Sequence, residues 1–407
     1  MYKVILRIFI FSIISLIFLS GCTSEDNSIG EPPVDLKPVE KEISLNLLNN
    51  FSITDSCKNH NGSKLLLGKY QNRESRILIK FSDLPDTISS FIKNPKIEFT
   101  YDDTIYNRNF DIKYAVLNTD WEENRANWFE ASDSINWNNT GGDFEQEYNT
   151  NYSTYLDSTS NTYKIGFEID NSIVQNWVNN DMDNYGLILY CPDYSTGYTF
   201  LSSDEGTDPA KMEFEYRISE DDTTNHVYNE NPSSDIHITE FTQDEVDVVS
   251  EQFKLANLIP TSSALQFAMP IDSIINVDGE EVDPNKIIVN QAELVCEINE
   301  SETNLINDEL DIYVNVLKNE EVFTNQTISS DDYITSPTFT YQDLEIENGK
   351  ISLRLTGIIQ GFINGEYENN GIYVRSMNEN ENYDHVIFKN LDNIKLRILY
   401  SVPETDI

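Results

Sequence analysis

Apolar and polar residues alternate in several short stretches of the chain. Residues 96–101 alternate strictly, and the same pattern recurs in residues 211–216 and 350–355. Period-two patterning is typical of strands with one face buried and the other in water. Long helical periodicity is missing, and Asn, Asp, Gly and Pro separate the stretches. The chain is therefore predicted to be an all-β protein built from β-sandwiches.

The two halves of the chain are related in sequence. Residues 172–179 align without a gap to residues 357–364, at an offset of 185, and the match continues through Gly186 and Gly371. In both copies the apolar residues fall at i, i+1, i+4 and i+5, which places them on one face of a short helix. We therefore predict a tandem duplication of one β-sandwich domain.

A different pattern opens the chain. Lys3 and Arg7 precede the apolar run Ile8–Leu19, which small residues connect to Cys22. This order is that of a bacterial lipoprotein signal, and the run is shorter than the roughly 20 residues that span a bilayer. We expect cleavage before Cys22 and a lipid on that cysteine. Ser24-Glu25-Asp26 resembles the surface-export signal of Bacteroidota lipoproteins, so we expect the protein on the outer membrane, facing the cell exterior.

These features divide the chain into five segments. They are a signal peptide at 1–21, an acidic flexible tether at 22–45, a first sandwich at 46–218, a linker at 219–234 and a second sandwich at 235–402. The tether is predicted because its residues are polar, acidic and aperiodic. Each sandwich is long enough to bury a core of its own.

Charge and cysteine content restrict the partners and the cross-links. Removing residues 1–21, which hold two basic residues and no acidic one, leaves 25 Lys+Arg against 70 Asp+Glu and a net charge of −45. Nucleic acids and anionic headgroups need clustered basic residues, so neither is expected as a partner. Beyond Cys22 the chain has Cys57, Cys191 and Cys296, an odd number that leaves one Cys57–Cys191 bridge open.

Three stretches of the first copy follow one another in the order of a known domain family. They are Leu67-Gly68-Lys69-Tyr70 with Arg76–Phe81 and Leu84-Pro85; Trp121-Glu122-Glu123 with Ala126-Asn127-Trp128 and Gly141–Phe144; and Phe167–Asp170 with Ile173–Val178 and Gly186–Tyr190. In these motifs the first copy resembles the DNRLRE-type domain family. The second copy keeps the closing pattern and a degraded opening. The resemblance implies jelly-roll-like β-sandwiches and the binding of a polysaccharide.

Three tryptophans of the first copy are candidate ligand contacts. Trp121, Trp128 and Trp137 lie in a loop-rich segment that has no clear counterpart in the second copy. An exposed indole offers a flat, polarised surface on which a sugar ring stacks. The alternative is that all three are buried and form no cleft. Trp177 is predicted to be a core residue, because its counterpart is Phe362.

A basic strip is the second candidate for ligand binding. Arg76 and Lys80 share one face of a predicted strand, and with Lys69 and Arg73 they form the densest basic strip of an acidic chain; Tyr70 lies beside them. If the ligand carries uronic carboxylates, an arginine could hold one of them bidentately. The alternative is that these residues pair with neighbouring acidic side chains.

Signs of metal binding and of catalysis are weak. Asp181 and Asp183 could contribute oxygen ligands to a structural calcium ion, although turn-forming acids are the alternative, and no other cofactor is expected. The four histidines are scattered, and no motif of a hydrolase or a nucleotide-binding site occurs. We expect a non-catalytic, surface-anchored lipoprotein that binds a polysaccharide with its first sandwich, while the second acts as a spacer or weaker module. The alternative is a structural or adhesive envelope protein whose sandwiches act as spacers or bind protein partners.

Overall fold

A computed structural model describes most of the chain beyond the signal and its tether. The described residues are 36–54, 63–70, 73–101, 112–191, 197–202, 208–241, 249–250, 253–305, 309–335, 341–379, 381–389, 391 and 394–403. The predicted lipid site at Cys22 and the half-cystine candidate Cys57 lie outside these residues. Cys191 is buried.

Short strands make up about half of the described chain, and we number them in chain order. The strands before residue 240 are β1 (Leu36–Ser44), β2 (Asn46–Thr54), β3 (Lys64–Tyr70), β4 (Arg73–Lys80), β5 (Ser90–Thr100), β6 (Lys113–Val116), β7 (Glu130–Ser132), β8 (Ile135–Asn136), β9 (Glu147–Asn149), β10 (Tyr152–Asp157), β11 (Thr162–Glu168), β12 (Leu187–Tyr190), β13 (Gly197–Leu201), β14 (Lys211–Arg217), β15 (His226–Glu230) and β16 (Ser234–Thr239).

The remaining strands and the helices follow the same order. The strands are β17 (Val249–Ser250), β18 (Lys254–Ala256), β19 (Thr261–Ala268), β20 (Asn276–Val277), β21 (Glu280–Glu281), β22 (Ile288–Glu297), β23 (Glu309–Val316), β24 (Tyr341–Glu345), β25 (Lys350–Arg354), β26 (Ile372–Ser376), β27 (His385–Ile387) and β28 (Lys395–Pro403). The α-helices are α1 (Asn171–Asn179), α2 (Ile271–Ile275), α3 (Glu321–Asn325) and α4 (Thr356–Asn364), and Pro284–Lys286 forms a 3-10 turn.

The first sandwich packs a five-stranded sheet against a seven-stranded sheet. The five strands run in the order β10-β11-β5-β14-β15, and the seven-stranded sheet follows β13-β3-β4-β12-β6-β9, with β16 also paired to β4. Alternate residues such as Ile97 and Phe99 of β5 meet Ile77 and Ile79 of β4 in one buried cluster. Trp177 of α1 belongs to the same core, as predicted.

The second sandwich repeats this plan. A four-stranded sheet in the order β1-β28-β22-β25 faces an eight-stranded sheet that includes β2, β19, β26 and β23. Leu294 of β22, Leu353 of β25 and Leu265 of β19 meet in its buried cluster. The prediction of an all-β chain with two sandwiches is therefore confirmed.

Details of hydrogen bonding repeat between the halves. The Nε2 of Gln175 donates to the carbonyl oxygen of Ile88 at 3.1 Å, and that of Gln360 donates to the carbonyl oxygen of Ile287 at 3.0 Å. Each glutamine also bonds the asparagine that ends its own helix. The side-chain amides of Asn184 and Asn369 donate to the backbone carbonyls of Phe81 and Phe267, at the ends of β4 and β19. These shared contacts agree with the predicted duplication.

Each half is completed by a strand pair that precedes the other half in sequence. β15 pairs with β14 and β16 with β4, which completes the first sandwich. β1 pairs with β28 and β2 with β19, which completes the second sandwich. The two pairs are related at the offset of the duplication, since residues 51–54 align with residues 236–239.

The exchanged strand pairs correct the predicted boundaries. Residues 36–44 were expected in the tether, yet they form β1 and pair along their whole length with the C-terminal strand. Residues 46–54 were assigned to the first sandwich and belong to the second. Residues 226–230 of the predicted linker form β15, an edge strand of the first sandwich, and residues 235–239 belong to that sandwich too. A short polar edge strand lacks the apolar signal of a central one.

Candidate functional site

The three candidate tryptophans cover one face of the seven-stranded sheet. Trp121, Trp128 and Trp137 are only 6%, 7% and 5% exposed. They pack on Leu78 of β4 and Ile188 of β12, on the face that points away from the core of the sandwich. Ile259 and Tyr383 of the second half belong to the same buried cluster. The tryptophans therefore fill the layer between the halves.

The indole nitrogens of two of these tryptophans are engaged inside the protein. Nε1 of Trp121 donates to the carbonyl oxygen of Tyr185 at 2.9 Å, and Nε1 of Trp137 donates to the carbonyl oxygen of Asn127 at 2.8 Å. A buried indole with a satisfied N–H offers no face to a sugar. The expectation of exposed tryptophans is wrong, and the alternative stated with it, burial without an aromatic cleft, describes all three.

Arg76 packs against the same layer and is partly buried. Its guanidinium lies 4.8 Å from the ring centre of Trp128 and also faces Tyr190. Nε and Nη2 donate to the two carboxylate oxygens of Glu74 at 3.0 and 3.1 Å, and Nη1 donates to the carbonyl oxygen of Gly141 at 2.8 Å. These contacts occupy the planar fork that was expected to hold a ligand carboxylate.

The rest of the predicted basic strip is dispersed. Lys80 forms an ion pair with Asp120 at 2.9 Å, and Nη1 of Arg73 lies 3.5 Å from the carbonyl oxygen of Glu240. Tyr70 ends β3, and its side chain is outside the described part of the structure. Arg76 and Lys80 therefore follow the stated alternative of pairing with neighbouring acidic side chains, whereas Arg73 reaches a backbone carbonyl.

The predicted calcium ligands do not converge. Asp181 and Asp183 are both exposed; Asp181 accepts from the Nδ2 of Asn179 at 3.3 Å, and Asp183 accepts from the hydroxyl of Tyr185 at 3.2 Å. Among the described residues, no group of three or more His, Cys, Asp or Glu side chains is arranged to hold a metal ion. The two carboxylates serve the turn that follows α1.

A groove on the second sandwich is the site that sequence reasoning missed. It has a volume of about 670 Å³ and opens on the outer face of the four-stranded sheet, across β22, β25 and β28. Its lining residues are Gln291, Glu293, Val295, Glu347, Asn348, Lys350, Ser352, Arg354 and Arg397. Eight of these nine side chains are polar or charged, so the groove suits a hydrophilic ligand.

The strands dictate which side chains reach the groove. Leu294, Leu353 and Leu396 point into the core, and their neighbours along each strand therefore point outwards. Glu293 pairs in register with Arg354 on one side and with Arg397 on the other. The guanidinium of Arg397 lies 3.5 Å from the Glu293 carboxylate. Both arginines and Lys350 are exposed.

The equivalent face of the first sandwich has the opposite charge order. There Lys96 is the central residue of the row, with Glu168 and Glu213 as its register partners. The second sandwich replaces this acid-lysine-acid row by Arg354-Glu293-Arg397. The three matched positions therefore sum to −1 in the first sandwich and to +1 in the second, where Glu42 of β1, opposite Arg397, adds one further carboxylate to the row.

Lysine is kept at a further equivalent position, but its surroundings differ. In the first sandwich Lys164 is buried among Glu98, Asp157 and Asp208 at 2.9 to 3.5 Å. Burial opposes its charge, yet the bond to Asp208 and the other carboxylates raise the pKa of Lys164. Lys350 takes this position in the second sandwich, where Val295 replaces Glu98 and Glu297 replaces Thr100 as the register partner of the lysine.

Aromatic cover also separates the two faces. The ring of Tyr155 lies 5.0 Å from the Lys96 ammonium, and its hydroxyl donates to Glu98. Burial works against the charge of Glu98, but the bonds from Tyr155 and Lys96 outweigh it and lower the pKa of this carboxyl. The first face is thus closed by its own side chains, whereas the second presents its cations in an open groove.

Comparisons with known proteins give no family for this chain. No family model matches it, and no curated protein does. A solved B domain of a biofilm associated protein is 9% identical over 84% of this chain and 72% of its own, with a TM-score of 0.16. The C-terminal domain of the Streptococcus agalactiae AgI/II polypeptide BspA is 10% identical over 87% and 91%, with a TM-score of 0.18. Both TM-scores are too low to show a shared fold, and the DNRLRE resemblance stays a prediction.

Among the described residues, no helix is both long and apolar enough to cross a membrane.

Proposed function

We propose that the protein is a non-catalytic, lipid-anchored surface protein that binds an acidic polysaccharide in the groove of its second sandwich. The anchor is the lipid on Cys22, and the first sandwich is a structural module. The observation that carries the proposal is the inverted charge row, in which Arg354 and Arg397 flank Glu293 on a chain of net charge −43.

The lining chemistry suits an acidic sugar chain. Guanidinium groups bind carboxylates through paired, charge-assisted hydrogen bonds. Gln291, Asn348 and Ser352 add amide and hydroxyl groups that can bond sugar hydroxyls. Glu293 and Glu347 supply acceptors, which a bare polyanion does not need but a hydroxylated sugar does.

A matched pair of double variants tests this function. The first variant combines Arg354→Glu with Arg397→Glu and so gives both positions the charge of Glu168 and Glu213, their counterparts in the first sandwich. Lys113→Glu with Arg125→Glu makes the same change in net charge on the surface of the first sandwich, where both residues are ion-paired. The probes are polygalacturonate and the neutral polymer dextran, in affinity electrophoresis of the mature chain, residues 22–407.

We expect polygalacturonate, but not dextran, to retard the wild type and the Lys113/Arg125 variant. The Arg354/Arg397 variant should run as it does without polymer; its melting temperature should fall, because carboxylates then lie opposite one another across the sheet, but it should stay folded at the assay temperature. Equal retardation of both variants would reject the groove as the binding site. An unretarded wild type would reject binding of this polyuronate and leave the structural or adhesive role, which the buried tryptophans favour.

A further inference from the structure

The two sandwiches obtain their completing strands from different distances along the chain. β14 ends at Arg217 and its partner β15 begins at His226, so the first sandwich is completed by the segment that follows it. The second sandwich ends with β28, whose partner β1 begins at Leu36, at the opposite end of the described chain. Closing so long a loop costs more entropy than closing a short one.

The distant segment is an integral part of the second sandwich. β1 pairs with β28 from Leu36 opposite Pro403 to Ser44 opposite Lys395. Leu45, between the two strands, is buried in the core cluster, and Ile43 packs against it. These contacts would leave a large acceptor surface on β28 if the segment were absent.

The second half of the segment pairs just as fully. β2 pairs with β19 from Thr54 opposite Thr261 onwards. The hydroxyl groups of Ser52 and Ser263 lie 2.7 Å apart, and those of Thr54 and Thr261 lie 3.1 Å apart. Two strands therefore join the segment to two different sheets of the same sandwich.

The same contacts are available to the same segment of another copy. In sequence, the segment is separated from β3, the next strand, by a short connection. Exchange of an identical element between copies therefore loses no contact, and it is a low-cost route to assembly. Within one chain, the pair β1–β2 already crosses the first half to complete the second.

We propose that residues 36–54 also complete the second sandwich of a neighbouring copy of this chain, so that copies are joined through exchanged strand pairs. The proposal goes beyond polysaccharide binding and does not depend on it. If Cys22 carries a lipid, thirteen residues separate the anchor from β1. Neighbouring copies would then share one surface, which raises the local concentration of segments and acceptors.

Cysteine pairs at one register position distinguish internal from exchanged pairing. Glu42 lies opposite Arg397 in the β1–β28 ladder. The full chain carrying Glu42→Cys is coexpressed with the full chain carrying Arg397→Cys, and whole cells are oxidised and analysed on a non-reducing gel. The chain with both substitutions reports internal pairing. Coexpression of Glu42→Cys with Asp181→Cys, an exposed position on the first sandwich, reports random collision.

We expect a covalent dimer from the Glu42→Cys and Arg397→Cys pair, several-fold above the dimer from the Asp181→Cys control. The doubly substituted chain should also form its internal cross-link. An internal cross-link without the dimer would overturn exchange between copies, and so would equal dimer from both mixtures. Failure of the internal cross-link would overturn the strand pairing on which the proposal stands.

Discussion

Arg76 shows why a charged side chain on a strand does not by itself predict a binding site. Its alternation with apolar neighbours placed it on one face of β4, as the sequence indicated. That face is covered by Trp128, so the guanidinium is held between the ring, Glu74 and the Gly141 carbonyl. The side chain therefore contributes to stability.

Replacing Arg76 by Lys should destabilise the protein while keeping the charge. Lysine cannot form the two-pronged bond to Glu74 and stacks less well on Trp128. From typical charge-assisted bonds we expect a loss of about 2 kcal/mol in the free energy of unfolding, measured by urea denaturation. Arg125→Lys is the control, because Arg125 and Asp133 are 52% and 65% exposed and such pairs contribute little. Equal losses in both variants would contradict the buried role.

Gly186 lets the backbone pass close to β4, as Gly371 does beside β19 in the second sandwich. The φ of Gly186 is +85°, and an added Cβ would collide with the carbonyl oxygen of Ile79. Gly186→Ala should therefore cost about 1–3 kcal/mol more than the backbone strain of about 1 kcal/mol. Gly279→Ala isolates that strain, since its φ is +88° and no atom lies within 4 Å of the added carbon. Similar melting temperatures for the two variants would refute the close approach.

His237 should make stability depend on pH. Burial lowers its pKa to about 4 from an ordinary 6.5, so the folded state excludes a proton that the unfolded state binds between these values. The stability advantage of a neutral His237 is complete above pH 6.5 and is lost as the pH falls towards 4, by about 3 kcal/mol. His237→Ser, which copies the aligned Ser52, removes this contribution.

The measurement for His237 is urea denaturation of the wild type and His237→Ser at several pH values. The difference in unfolding free energy between them should shrink by about 3 kcal/mol, or change sign, from pH 7 to pH 4. The contribution of the carboxylates to the pH dependence is the same in both proteins and therefore cancels in this difference. A constant difference would contradict the buried neutral imidazole.

Among the strands, the alternating central ones were predictable from the sequence and the edge strands were not. Residues 96–101, 211–216 and 350–355 alternate because one face meets the core, and most of their residues lie in β5, β14 and β25. β1 has the sequence LKPVEKEIS, whose charges and proline suit an edge strand but also suit a tether. Only its pairing with β28 distinguishes the two.

The tryptophan layer also had a signal in the sequence, although this signal is not a period-two pattern. Leu65–Leu67, Ile77–Ile79 and Leu187–Leu189 are continuous apolar runs, which indicate strands covered on both faces. Something must then cover the second face, and the nearby tryptophans are the apolar side chains that do so. The groove had no such signal, because it needs the register of three distant strands.

Deleting residues 36–54 should unfold the second sandwich selectively. β28 and β19 would lose their partners, and the core around Leu45 would be exposed. Limited proteolysis with mass spectrometry should then give early cuts after residue 253 and protection of residues 63–241. Deletion of residues 24–35 is the control and should leave both halves protected. Protection of the second half in the 36–54 deletion would show that it folds without the segment.

The net negative charge of the chain opposes the approach of the proposed acidic ligand. A chain of −43 repels a polyanion, and the repulsion acts over about 30 Å at 0.01 M salt but only about 8 Å at 0.15 M. Contacts within the groove are shorter than either length. The association rate with polygalacturonate should therefore rise over this salt range, as surface plasmon resonance would show. A falling rate would mean that an extended basic surface attracts the ligand.

Within one chain the two halves are interlocked, because each half is completed by a strand pair that precedes the other half in sequence. Hydrogen–deuterium exchange of the mature chain measures whether the N-terminal segment is part of the second sandwich. The amides of residues 36–54 should be protected for as long as those of β28 and β19, their ladder partners. Exchange of these amides within seconds, at the rate of a flexible tether, would contradict the pairing of β1 with β28 and of β2 with β19.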